Sequence, residues 1–270
     1  FGANFTATFS GSSGYYEFTT DTSIRTDGNY QCKAIAYDNS GKMTESPSIS
    51  FQIDNNAPLM TVNGLQTGAY VEGNVTFNVT ASDTYLLDTS YSVDGGSWIN
   101  IGNAWNTRLL LDGGHTVVFR ARDMAGHDVT QTMTLIVDNT HPVVTVNNPS
   151  IAEFVEGAYT FRISAIDQVG IDRVYINVFN NSFLATFSTS SGYYEFTTDT
   201  SLKIDGNFLC NATAHDMSGK VTTSSDIDFK IDNNAPVLRV LDPLPGAFLE
   251  DYIMILVNST DVFLNRTEYN

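Results

Sequence analysis

Apolar and polar residues alternate along this chain with a period of two, in short stretches cut off by Gly, Asn, Asp and Pro. That is the pattern of half-buried β-strands. From 74 to 81, Val75, Phe77, Val79 and Ala81 are predicted to face a core while Asn74, Thr76, Asn78 and Thr80 face out. Tyr159, Phe161, Ile163 and Ala165 repeat the pattern, as do Tyr30, Cys32, Ala34 and Ala36, and Phe208, Cys210, Ala212 and Ala214. No stretch carries an amphipathic helical period. The Asp94-Gly95-Gly96 step between Tyr91 and Trp98 supplies the left-handed backbone of a tight turn and predicts a hairpin. Ile253, Ile255 and Val257 are expected to point into a core, leaving Met254 and Leu256 on the opposite face.

The pattern recurs on a larger scale. Residues 1–58 align without a gap on 179–236, with 38 of 58 positions identical. A weaker repeat lies inside this duplication. The strings I-D-N-N-A-P, V-D-N-T-H-P and I-D-N-N-A-P end at Pro58, Pro142 and Pro236, spaced 84 and 94 residues apart. An A-x-D-x-x-G signature recurs at Asp38, Asp123 and Asp216. The unit is a module of about 90 residues with about seven short strands, which predicts an all-β fold of tandem immunoglobulin-like β-sandwiches in a linear array. Cutting at the repeated strings gives 57–140 and 141–234 as whole modules, 1–56 as the C-terminal half of a module and 235–270 as an N-terminal half. The two halves together have the length of one more module.

The residues Y-S-V-D-G-G-S-W from Tyr91, L-D-G-G-H-T-V-V-F-R-A-R-D-M-A-G from Leu111 and I-V-D-N-T-H-P from Ile136 resemble the tandem immunoglobulin-like, fibronectin-type-III-like modules of bacterial and archaeal cell-surface proteins. The resemblance implies an extracellular, cell-surface location. It specifies fold and place rather than activity.

Composition narrows the partners. Thirty acids against thirteen bases give a net charge of −17, which repels nucleic-acid backbones and anionic lipid surfaces. The longest apolar run, Ile253–Val257, is far too short to span a bilayer, so no membrane insertion is expected in this segment. No secretory leader is evident, and the chain reads as a window from something longer. Cys32 and Cys210 occupy the same strand position two modules apart, where the middle module has Val117. Inert core thiols are therefore expected rather than a bridge. His115, His127, His141 and His215 are scattered, His115 aligns with Tyr30 and Phe208, and no nucleophile elbow, P-loop or dinucleotide fingerprint occurs. The expectation is a protein that is not an enzyme.

Two modifications merit placement. Calcium is the cofactor the acidic residues point to, because hard cations take several oxygen ligands. The repeated strings contribute Asp54, Asp138 and Asp232, the following modules add Glu72 and Glu156, and D-x-x-x-x-D pairs stand at Asp83 with Asp88 and at Asp167 with Asp172. The D-N-x-A-P string is similar to the calcium-rigidified linker of cadherins. Ordinary turn chemistry of Asp and Asn is the competing reading. N-glycosylation sequons occur at Asn4, Asn74, Asn78, Asn180, Asn211, Asn258 and Asn265.

The sequence therefore points to a non-enzymatic structural component of an extracellular filament, sheath or surface layer. Its expected partners are copies of itself, joined head to tail by complementation of half-modules, or neighbouring repeats of a longer chain, with glycans attached. The alternative is a cell-surface adhesin that binds carbohydrate or protein through loops at the sandwich ends.

Overall fold

A computed structural model describes residues 4–268 and divides the chain into two compact units, Phe1–Val137 and Asp138–Asn270. Among the described residues every regular element is a strand, as the two-residue period requires.

In the second unit, Val143–Asn148, Ala158–Ile166 and Tyr193–Asp199 lie side by side. Ile171–Val178, Gly206–Asp216 and Ile227–Ile231 form the opposing layer. The strand Asn181–Ser188 joins them: its first half pairs with Ile171–Val178 and its second half with Tyr193–Asp199. Phe154–Val155 closes the far edge by pairing in parallel with Lys230 and Ile231. Two antiparallel layers with a strand that switches between them make an immunoglobulin-like β-sandwich. Its core holds Phe161, Ile163, Val174, Ile176, Ala212, Ala214, Phe229 and Ile231, all without exposed surface.

The first unit repeats this plan between 59 and 137. Leu86–Val93, Gly113–Asp123 and Asp128–Val137 form the centre of a five-stranded sheet, edged by Tyr70–Val71 in parallel. Phe77 sits at the middle of the core, with ring centroids 4.8 Å from Tyr91, 4.9 Å from Phe119 and 6.1 Å from Trp105. The long strands Gly113–Asp123 and Gly206–Asp216 carry the same alternation of burial along all their residues. The hairpin expected at Tyr91–Trp98 forms. Asp94 and Gly95 take φ of 50° and 73°, and Leu86–Val93 pairs with Ile99–Asn100.

The remaining segments are differently placed. Residues 8–53 form three separate two-stranded pairs in the register of their duplicates: Phe9 opposes Tyr16 as Phe187 opposes Tyr194, and Gly28 opposes Ile53 as Gly206 opposes Ile231. Val237–Asp242 and Leu256–Thr260 form a hairpin whose register, including a bulge between Val240 and Asp242, copies Val143–Asn148 on Ala158–Ile166. What differs is burial. Cys210 is 2% exposed and lies in the core, whereas Cys32, expected inside, is exposed. Ala34 and Ala36 are exposed where Ala212 and Ala214 are buried. The cause is that no strand covers the apolar face of 8–53 among the described residues. In the hairpin, Leu238 and Val240 are 56% and 53% exposed, against 8% and 7% for their counterparts Val144 and Val146. Ile253 and Ile255, expected inside, are likewise half-exposed, as are Met254 and Leu256.

Candidate functional site

Each A-x-D-x-x-G signature forms a turn wrapped around its own carboxylate. Asp216 Oδ1 accepts the backbone amides of Ser218 and Lys220, both at 2.9 Å. Asp38 Oδ1 accepts those of Ser40 and Lys42 at 2.8 and 2.9 Å, and Asp123 Oδ1 those of Gly126 and His127 at 2.7 and 2.8 Å. One oxygen is thereby committed to the turn and the other is left to face outward from it. The first residue of each D-x-x-x-x-D pair behaves alike: Asp83 and Asp167 accept the amides of Tyr85 and Val169 at 2.7 and 2.8 Å, and Asp261 that of Phe263 at 2.7 Å.

The fold brings these turns to the aspartates of the repeated strings. In the first unit, Asp54, Asp123 and His127 place ligand-capable atoms within 4.8 Å of one another, and in the second Asp138, Asp167 and Asp216 do the same. Asp138 and Asp216 are 0% and 1% exposed. Carboxylates this close, and this dry, repel one another and require positive charge between them. In the second unit Lys220 supplies it. Its ammonium donates to the Asp138 carbonyl at 2.6 Å and to Ser218 Oγ at 3.0 Å, and lies 3.4 Å from Asp138 Oδ2. In the first unit the equivalent position is His127, whose Nδ1 is 2.8 Å from Asp123 Oδ2. Burial raises the Asp54 carboxyl, and the neighbouring Asp123, Asp83 and Asp27 raise it further. The bond to Asp123 raises the His127 imidazole. Asp232 is raised by burial and by Asp261, Asp205 and Glu156.

The other aspartates expected as ligands stand apart. Asp88 pairs with Arg122 at 2.9 Å and Asp172 with Arg173 at 3.0 Å, and Glu72 is exposed. The asparagines of the repeated strings do structural work. Asn233 donates its backbone amide to Asp205 at 2.7 Å and its side-chain amide to the carbonyls of Thr200 and Lys203. Asn55 does the same with Asp27, Thr22 and Arg25. Ordinary turn chemistry therefore accounts for the Asn half of these strings. Asp123 and Asp216, which the sequence marks only as a repeated signature, are the further acids of these clusters, each with a cation four residues on. The signal was present, since Lys42, His127 and Lys220 all stand at that spacing.

The repeated position at which His115 aligns with Tyr30 and Phe208 has a structural role. Tyr30, two residues before Cys32, donates its hydroxyl to the Thr26 carbonyl at 2.8 Å, the tyrosine corner of immunoglobulin-like sandwiches. His115 takes this place in the first unit, its side chain 15% exposed. Its Nε2 is 3.0 Å from the Leu111 carbonyl and its Nδ1 is 2.7 Å from Asp94 Oδ2. Both partners are acceptors, so the ring donates twice as an imidazolium. The carbonyl, and then the carboxylate, raise its pKa above 6.5. The stability it contributes is complete below pH 6.5 and is lost as pH rises through the raised value. The melting temperature of the first unit is expected to fall by a few degrees as pH rises from 6.5. In His115→Tyr, which keeps the carbonyl bond at every pH, that fall should shrink in a calorimetric series to the part that His127, also raised, contributes.

Of the sequons, Asn4, Asn74, Asn78, Asn180, Asn258 and Asn265 are exposed. Asn211 is half-buried, and its side-chain amide is engaged with Asp226 at 2.6 Å. The Cys210 thiol is pushed up to about 12 by burial, which makes it an inert core group.

No protein-family model matches the sequence, and no curated protein matches it. Solved structures resemble it at TM-scores below 0.5. The fibronectin(III)-like modules of Clostridium thermocellum CbhA are 15% identical with a TM-score of 0.36, over 64% of this chain and 93% of that one. A tetra-tandem repeat from the extending region of a large adhesion protein is 22% identical with a TM-score of 0.36, over 88% and 66%. Murine CEACAM1b is 14% identical with a TM-score of 0.39, over 64% and 100%. None of the three bears on what this chain binds. No helix among the described residues is long and apolar enough to cross a membrane.

Proposed function

We propose that this chain is a stretch of an extracellular array of immunoglobulin-like sandwiches with a mechanical rather than chemical role, as in a surface filament, sheath or layer. In this reading its repeats join head to tail, and the open face of residues 8–53 is covered by the hairpin 237–260 of another copy. One observation carries the reading: the same sequence is buried in one place and exposed in another. Tyr194 and Phe196 pack against the core of the second unit, while their duplicates Tyr16 and Phe18 are 74% and 46% exposed. The missing cover is an apolar hairpin, and the chain presents one with its own apolar face open. Docking would bury both faces at about 25 cal/mol per Å² of apolar surface. The exposure of Tyr16 belongs to this uncovered face, since its duplicate Tyr194 packs on the core, so it lends no support to a sugar-stacking adhesin. Acidic surface and glycans on the exposed asparagines keep such an assembly soluble.

The reading fixes a register. Ile163 opposes Tyr194 in the second unit, so Val257 of one copy should oppose Tyr16 of the next. In a Cys32→Ala background, Tyr16→Cys with Val257→Cys is expected to give a ladder of covalent multimers under mild oxidation. Either cysteine alone should give at most dimers. Monomers that stay uncrosslinked at concentrations near a millimolar would reject head-to-tail complementation.

A further inference from the structure

The two carboxylate clusters are the same site with different fillings. Asp54 corresponds to Asp138, Asp83 to Asp167 and Asp123 to Asp216. In the second unit a tethered ammonium, that of Lys220, enters the cluster. The position therefore demands a cation, and the chain itself shows what happens when one is built in. The first unit has a histidine there instead, and His127 stays on Asp123. Asp54 then has both carboxylate oxygens shielded from water without a hydrogen-bond partner, while the Asp123 side chain is fully buried. Among the described residues no lysine takes the place of that ammonium at Asp54, and His127, within 4.8 Å, makes its bond to Asp123.

We propose that Asp54, Asp123 and His127 form a binding site for a divalent transition cation of the zinc class. The donor set decides the class. One imidazole nitrogen with two carboxylates suits zinc, whereas calcium and magnesium take oxygen ligands. The charges of the two carboxylates balance a divalent ion. Ligand atoms about 2.0–2.1 Å from a tetrahedral centre stand roughly 3.3 Å apart, so the 2.8 Å contact between His127 Nδ1 and Asp123 Oδ2 opens by about half an ångström, and Asp54, within 4.8 Å of both, closes by up to about 1.5 Å. Water completes the coordination from the side where His127 is 40% exposed. Binding would tie the end of residues 1–54 to the sandwich that follows and stiffen that joint.

The test uses the whole chain, stripped with a chelator and then titrated with zinc, cobalt(II) or calcium chloride. Zinc at a free concentration about a hundredfold above its Kd is expected to raise the melting temperature of the first unit by roughly 5–10 °C. Cobalt should give the visible absorption of a tetrahedral site. Asp54→Asn and His127→Ala should abolish both responses. His127→Lys, which copies the second unit, should remain folded and lose the response because its ammonium fills the place. The proposal is overturned if zinc leaves the melting temperature unchanged, if the response survives in His127→Ala, or if calcium gives an equal response.

Discussion

Replacing Lys220 with methionine is expected to destabilise the second unit by about 3–5 kcal/mol. The Lys220 side chain is 14% exposed and that of Asp138 1%, so both charges are largely removed from water. Methionine fills the space of the stem but leaves Asp138, Asp167 and Asp216 together without their cation. The large cost is that of uncompensated buried charge, which exceeds what the pair contributes over a well-packed apolar substitute. Lys220→Arg keeps the charge and should cost much less. Asp138→Asn combined with Lys220→Met should recover a substantial part of the loss, because it removes the orphaned carboxylate. Both tryptophans, Trp98 and Trp105, lie in the first unit. Tryptophan fluorescence in a urea series should therefore follow the first unit unchanged, while the early loss appears in circular dichroism. A single mutant within about 1 kcal/mol of the parent would show that Lys220 does not neutralise this cluster.

Phe229→Ala should cost about 3–5 kcal/mol, the ordinary range for emptying a buried phenylalanine site. Phe229 has no exposed surface, and its ring contacts those of Phe161, Phe179 and Phe208 at 5.8, 6.3 and 5.9 Å. The chain contains its own control. Phe51 is the duplicate of Phe229, with the same cross-strand neighbour position, yet it is only half-buried. Phe51→Ala should cost about 1 kcal/mol or less in the separate chain, since little packing is lost where little exists. If the hairpin of another copy covers that face, Phe51→Ala becomes costly in the assembled form, and the ladder of cross-linked multimers should weaken with it. Equal costs for the two substitutions in dilute solution would contradict the burial difference on which the complementation reading rests.

Much of the fold was legible because its signals are local. Two-residue alternation placed Phe77, Phe161 and Ile163 inside correctly, and Asp94-Gly95 fixed a hairpin turn whose backbone other residues resist. The site was only partly legible. The D-x-x-x-x-D spacing grouped Asp83 with Asp88 and Asp167 with Asp172, but the strand registers shift between Leu86 and Asp88 and between Ile171 and Arg173. A bulge resets which face a side chain takes, so alternation cannot be carried through it. Asp88 lands opposite Arg122, and its charge is spent there. The true companions, Asp54 with Asp123 and Asp138 with Asp216, are 69 and 78 residues apart, and no local pattern links them.

By itself the sequence determined strands, repeats, turns and the apolar face of the unbroken strands, because these depend on backbone geometry and on neighbours within a few residues. Tertiary structure decided which acids meet, which cation stands between them, and that one copy of a duplicated sequence is core while the other is surface. Burial and charge are properties of surroundings, and identical residues at Cys32 and Cys210 acquired different ones.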